Sequence, residues 1–133
     1  MSSKADDLPN AGPADLAGLR VLVVDDSWHV ATGMKMLLES LGADVLGPVA
    51  TTADAMRQLA ERTPDVALID INLRGGERSY GLIDRLRDQG IRVVVMSGYA
   101  DVSPAHGKAA AILQKPIQQD LLLASLRPMA EKD

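Results

Sequence analysis

The chain has 133 residues, 47% of them hydrophobic and 24% charged, with a net charge of −4. That length fits one domain with a sizeable core, and the balance is globular rather than disordered. The acidic excess argues against nucleic acid or an anionic membrane as partner, and the absence of cysteine excludes disulfides, thiolate chemistry and cysteine-ligated zinc.

Residues 1–17 are polar and contain two prolines and a glycine, which predicts a flexible N-terminal tail ahead of a folded domain over 18–133. The chain has neither the apolar core of a signal peptide nor a run near the roughly 20 residues of a membrane span, so a cytoplasmic protein is expected. From Arg20 onward, strand-like and helix-like patterns alternate five times. The first apolar run, Leu19 to Val24, ends in Asp25-Asp26. A helix capped by Asp26 or Ser27 follows to about Leu41, with Val30, Met34, Leu37, Leu38 and Leu41 on one face and Gly42 as its stop. Met34, Met36 and, further on, Met56 share helical spacing with leucines and read as core. Asp44 to Ala50 is a short strand, placed at a sheet edge by Gly47-Pro48. Thr52 then caps a helix with Ala55, Met56, Leu59 and Ala60 inward, ending before Pro64.

The run Val66 to Ile69 ends in Asp70, with Asn72 two residues on and Gly75-Gly76 in the polar loop beyond. A helix from about Tyr80 to Gln89 carries Leu82, Ile83 and Leu86 and is closed by Gly90. Ile91 to Met96 is the most continuously apolar strand, expected near the centre of the sheet, and it ends in Ser97-Gly98. Asp101 to Lys108 has room for only a turn or two of helix. Ala109 to Gln114 is the last strand, ending in Lys115-Pro116, and a final helix from Gln118 or Gln119 turns Leu121, Leu122, Leu126 and Met129 inward. Five such repeats imply a doubly wound parallel α/β sheet with helices on both faces.

In an open parallel sheet the carboxyl ends of the strands share one edge, and ligands bind there. That edge would gather Asp25, Asp26 and Asp70, whose like charges in a crevice either shift in pKa or call for a cation. All-oxygen ligation suits Mg²⁺, and the Asn72 backbone carbonyl could add a ligand. Mg²⁺ on a few carboxylates typically handles phosphate; Lys115 and Ser97 supply a charge and a hydroxyl for a phosphoryl group, and a carboxylate can itself be the nucleophile. Each residue also has an ordinary reading. Asp25-Asp26 could merely charge a helix N-terminus. Asp70 could cap a loop, Ser97-Gly98 could be a turn, and Lys115 could be solvated. It is their joint position at strand ends that points to a site.

Over residues 19–127 the chain resembles a response-regulator receiver domain. The resemblance is carried by Val21-Leu22-Val23-Val24-Asp25-Asp26-Ser27, Asp70 with Asn72, Ser97, and Lys115-Pro116. It implies a flavodoxin-like fold with strand order 2-1-3-4-5. It also implies that Asp70 accepts a phosphoryl group from the histidine of a sensor kinase or histidine phosphotransfer protein, with Mg²⁺. Asp26 would then ligate the metal directly, Asp25 through water, and Lys115 and Ser97 would hold the phosphoryl oxygens. Such domains catalyse their own phosphorylation and dephosphorylation and are not otherwise enzymes.

Two departures from the family pattern stand out. The stretch from Ser97 to Lys115 is short for the family, so the fourth helix is expected to be short or disordered. Ile112 stands where many receivers carry a switch Tyr or Phe, which makes Tyr99 the substitute switch candidate. The loop Asn72 to Gly76 and Ser97-Gly98-Tyr99 are similar to a subset of stand-alone receivers that lack the aromatic switch. With no basic patch, the output is expected to pass through contact with a downstream protein target.

Trp28 reads as a partly exposed loop-to-helix residue, and His29 and His106 as surface residues rather than metal ligands. Two rival functions remain. A haloacid-dehalogenase-type phosphatase also uses a nucleophilic Asp, Mg²⁺ and a Lys, but needs an acid where this chain has Asn72. A pseudo-receiver would keep the fold as a binding module without phosphotransfer.

Overall fold

The computed structural model describes residues 15–73, 78–98 and 109–130. Five parallel strands, β1 (Arg20–Val24), β2 (Asp44–Val49), β3 (Val66–Asp70), β4 (Arg92–Ser97) and β5 (Ala111–Gln114), form one sheet in the order β2-β1-β3-β4-β5. Four helices occupy the described residues: α1 (Trp28–Ser40), α2 (Thr52–Glu61), α3 (Tyr80–Asp88) and α4 (Gln119–Ala130). This is the doubly wound parallel α/β sheet expected from the alternation, in the flavodoxin-like strand order that the resemblance to a receiver domain implies. The helix expected over Asp101 to Lys108 lies outside the described residues.

Strand alternation divides the core in two. Val21 and Val23, Leu68, and Val94 and Met96 point to one face, where α1 and α4 cover them with Ala31, Met34, Leu38, Leu122, Leu126 and Met129. Leu22 and Val24, Ala67 and Ile69, and Val93 and Val95 point to the other, covered by α2 and α3 through Ala55, Leu82, Ile83 and Leu86. All of β3 is buried. It is β3 that lies at the middle of the sheet; β4, expected near the centre, is interior beside it. Both match the near-continuous apolar runs of strands covered on two faces. β2, by contrast, is an edge strand whose pairing with β1 is irregular between Leu22 and Val24.

Several local expectations are corrected. Leu16, assigned to the tail, is fully buried, and its N–H donates to the Leu41 carbonyl at 2.9 Å. Asp15, also in that stretch, pairs with Arg127 at 2.8 Å. Thr51, not Thr52, caps α2 by accepting the Asp54 N–H at 3.1 Å. Met36 on α1 and Leu121 on α4 are exposed, and Leu123 is buried where Leu121 was expected. Val30 and Ala60 also turn outward. The rest of each expected stripe is buried or packed on the core, Met34, Leu38 and Leu41, Ala55, Leu82, Ile83 and Leu86, and Leu122, Leu126 and Met129 among them. Only residues at its margins turn outward, because neighbouring elements set how much of a helix they cover. Pro128 does not end α4, which runs to Ala130.

Candidate functional site

Each candidate site residue lies at, or within two residues of, the carboxyl end of a strand, buried in β1, β3 and β4 and half-buried in β5. Asp25 follows β1, and its N–H donates to the Val49 carbonyl of β2 at 2.9 Å. Its Oδ1 accepts the Ser27 N–H at 2.9 Å, which turns the chain into α1. Ser27 stands at the N-cap of α1 but makes no side-chain cap bond there. Asp70 is the last residue of β3, and its Oδ1 accepts the Asn72 N–H at 3.1 Å. Ser97 ends β4 and is buried, and its carbonyl accepts the Lys115 N–H at 2.7 Å, tying the end of β5 to that of β4. The Lys115–Pro116 peptide is cis.

The side chains then meet. Lys115 Nζ lies 3.0 Å from Asp25 Oδ2 and 2.9 Å from Asp70 Oδ2, bridging strands β1 and β3 from β5. Asp26 joins them on the outer side: Asp25, Asp26 and Asp70 each offer an oxygen, all within 4.8 Å of one another. Asp25 and Asp70 are buried and Asp26 is half-buried. Burial pushes the Asp70 carboxyl above its ordinary value; the Lys115 contact and the Asn72 N–H pull it down by less, and the Asp25 charge adds to the rise. For Lys115, burial favours the neutral amine, but the hydrogen bonds and charges of Asp70 and Asp25 outweigh it and raise the ammonium's pKa. The result is an ammonium held between carboxylates, one of which ionises reluctantly.

Asp25, Asp26, Asp70, Asn72, Ser97 and Lys115, all singled out from sequence, thus stand at the carboxyl ends of β1, β3, β4 and β5. Tyr99, the switch candidate, lies outside the described residues, as does His106. Ile112 is half-buried against the α2–α3 side of the core. Trp28 is 66% exposed beside the acidic pair and tilts against the His29 ring at 6.5 Å. It lines a groove of about 430 Å³ with Asp26, Ala31, Lys35 and Pro48. Sequence reasoning passed over Ser79. Its hydroxyl is fully buried and donates to the Asp70 carbonyl at 2.9 Å. The only signal was a serine before a helix, which reads as an ordinary cap.

A parallel sheet gathering three carboxylates and an ammonium at its carboxyl edge defines the class of flavodoxin-like domains with an acidic ligand site. Within that class the assignment is specific. The chain belongs to the response regulator receiver domain family, whose model matches residues 21–127, and is a receiver of two-component signalling.

The chain is 26% identical over 123 residues to the phyllosphere-induced regulator PhyR of Methylorubrum extorquens, covering 87% of this chain and 46% of PhyR. It therefore spans less than half the length of that curated relative. The signal receiver domain of a modulated diguanylate cyclase from Desulfovibrio desulfuricans superposes with a TM-score of 0.73 at 29% identity, over 84% of this chain and 92% of that one. A Burkholderia pseudomallei response regulator, solved with a phosphorylated aspartic acid, calcium ion and citrate, gives 0.73 at 26% identity over 84% and 68%. Receiver domains are generally phosphoacceptors rather than enzymes proper, and they interact with histidine kinases or phosphotransfer proteins and with downstream effectors. Among the described residues no helix is long and apolar enough to cross a membrane.

Proposed function

We propose that Asp70 accepts a phosphoryl group from a phosphohistidine of a sensor kinase or phosphotransfer protein, in the presence of Mg²⁺. The observation that carries this reading is the Lys115 ammonium bridging the Asp25 and Asp70 carboxylates, with a third carboxylate within 4.8 Å of both. The donor set fits the metal. Oxygen ligands around one Mg²⁺ at about 2.1 Å lie roughly 3 to 4 Å apart, and a hard cation favours carboxylates over any nitrogen or sulfur donor. Asp25, Asp26 and Asp70 would hold it with the Asn72 carbonyl. When bound, it would neutralise charge on the phosphoryl oxygens.

The chain's own residues do the rest. The Asn72 N–H holds Asp70 Oδ1 and Lys115 holds Oδ2, which orients the carboxylate for attack. As the Asp70 O–P bond forms, the donor's N–P bond breaks and its imidazole keeps the electron pair. Lys115 then follows the charge from the carboxylate onto the phosphoryl oxygens, with the Ser97 hydroxyl as a second contact. In hydrolysis a water oxygen bonds to phosphorus as the Asp70 O–P bond breaks, which releases inorganic phosphate and restores the carboxylate. Asn72 carries an amide where a phosphatase of the dehalogenase type needs an acid, which disfavours steady turnover of phosphomonoesters. The phosphorylated aspartic acid in the Burkholderia relative supports the same chemistry by analogy.

The test is intact mass after incubation with Mg²⁺ and a small-molecule phosphodonor, and then with a phosphorylated kinase or phosphotransfer protein. A single phosphoryl adduct, absent from Asp70→Ala and absent without Mg²⁺, is the expected result. No adduct from either donor type overturns the reading and leaves a pseudo-receiver that binds partners without phosphotransfer.

A further inference from the structure

Ser79 stands immediately before α3, where a serine ordinarily turns its hydroxyl back to accept an N–H of the first helical turn. Here it makes no such bond. The fully buried hydroxyl instead donates to the Asp70 carbonyl at 2.9 Å, with the Ile71 carbonyl at 3.4 Å. The Ser79 N–H donates to that same Ile71 carbonyl at 3.1 Å. One residue further out, Arg78 and Asn72 form an antiparallel bridge. The chain entering α3 therefore folds back along the chain leaving β3.

We infer that Ser79 is a positioning residue for the phosphoacceptor, an inference that rests on the function proposed above. Asp70 is the last residue of β3, so beyond it the regular ladder no longer fixes the backbone. Two bonds hold the peptide that joins Asp70 to Ile71: the Ser79 hydroxyl on the Asp70 carbonyl, and the Ile71 N–H on the Met96 carbonyl at 3.1 Å. Rotation of that peptide would swing the Asn72 N–H away from Asp70 Oδ1 and free the carboxylate from the orientation it holds against Lys115. Ser79 thus keeps the Asp70 carboxylate facing those of Asp25 and Asp26, as a shared cation requires.

The same residue ties that strand end to a helix. The Ser79 carbonyl accepts the Ile83 N–H of α3 at 3.0 Å. Ser79 thereby links the end of β3 to the first turn of α3 through two consecutive hydrogen bonds.

The experiment titrates Mg²⁺ into the metal-free full chain, followed by calorimetry and Trp28 fluorescence. It then measures the rate of Asp70 adduct formation at saturating Mg²⁺. Ser79→Ala is expected to weaken Mg²⁺ binding about fivefold, the equivalent of one ordinary hydrogen bond, and to slow adduct formation. Ser79→Cys, a weaker donor of similar size, should fall between, and decides the matter if the alanine variant does not fold. Ser125→Ala removes another hydroxyl that donates to a backbone carbonyl, at 3.0 Å on α4 away from the site, and should leave both readouts unchanged. If Ser79→Ala lowers the melting temperature while Mg²⁺ affinity and adduct rate stay at wild-type values, Ser79 is only structural and the inference falls. If the wild-type chain itself neither binds Mg²⁺ nor forms the adduct, the underlying reading fails, and the inference with it.

Discussion

The balance at Asp70 has a consequence that melting experiments can read. Its pKa is raised in the folded chain, so the native state holds a proton more tightly than the unfolded state does. Its contribution to stability is therefore greatest below the ordinary value of 3.8 and falls as pH rises through the folded value. In the presence of a chelator, Asp70→Asn should melt at a higher temperature than wild type at pH 7. The two curves should converge below about pH 4, where the carboxyl is protonated in either state. Lys115 also has a raised pKa, so its contribution is fully present below 10.5 and is lost as pH rises through its folded value. Lys115→Met leaves Asp25 and Asp70 buried without their counter-ion. It should cost about 1–3 kcal/mol at pH 7 by chemical denaturation; an unchanged midpoint would mean that water already screens the pair. The four charged candidates, Asp25, Asp26, Asp70 and Lys115, could be singled out at this scale, because an acid or a lysine at the end of an apolar run is an anomaly that a sequence displays. Asn72 and Ser97 stood out mainly by their place in the motif. The ordinary serine at position 79 did not, since its hydroxyl acts on a backbone carbonyl nine residues earlier.

At the scale of elements, turn and cap chemistry carries the testable content. Gly47 sits in β2 at φ +89°, and a Cβ there would lie 2.9 Å from Val49 N and 3.1 Å from the Val23 carbonyl. Gly47→Ala should therefore cost about 2 kcal/mol or more, lowering the urea midpoint without changing the slope. Thr51→Ala removes the bond that caps α2 and should cost about 1 kcal/mol by the same assay. The sequence located both elements because glycine, proline and threonine act on their own neighbours. It found the inward side of α1 and α4 through Met34, Leu38, Leu122 and Leu126 but drew that side too wide, as the exposed Val30, Met36 and Leu121 illustrate. Leucine or methionine at helical spacing defines a stripe, but the sheet that covers it decides its width.

At the scale of the whole molecule, the site joins residues that are far apart in the chain. Lys115 meets Asp25 and Asp70 only because β1, β3, β4 and β5 lie side by side in register. Such a site couples ligand binding to global stability. If the proposed Mg²⁺ site is right, Mg²⁺ at 100 times its dissociation constant should stabilise the fold by about 2.7 kcal/mol, read as a rise in melting temperature. Asp26→Ala should abolish most of that rise while changing the metal-free melt little, because Asp26 is half-buried on the outer side of the cluster. An equal rise in the variant would remove Asp26 from the ligand set.

The sequence by itself determined the strand–helix alternation, the parallel sheet and the acids, hydroxyl and lysine at its carboxyl edge. Those follow from local periodicity and from the rule that parallel strands end on one side. Only the tertiary structure decided the Lys115 bridge, the outward turn of Met36 and Leu121, the burial of Leu16, and the turning of Ser79 from its helix toward Asp70. These depend on which distant groups share a few ångströms of space, and on burial that makes a hydrogen bond to a strand end preferable to a solvated cap.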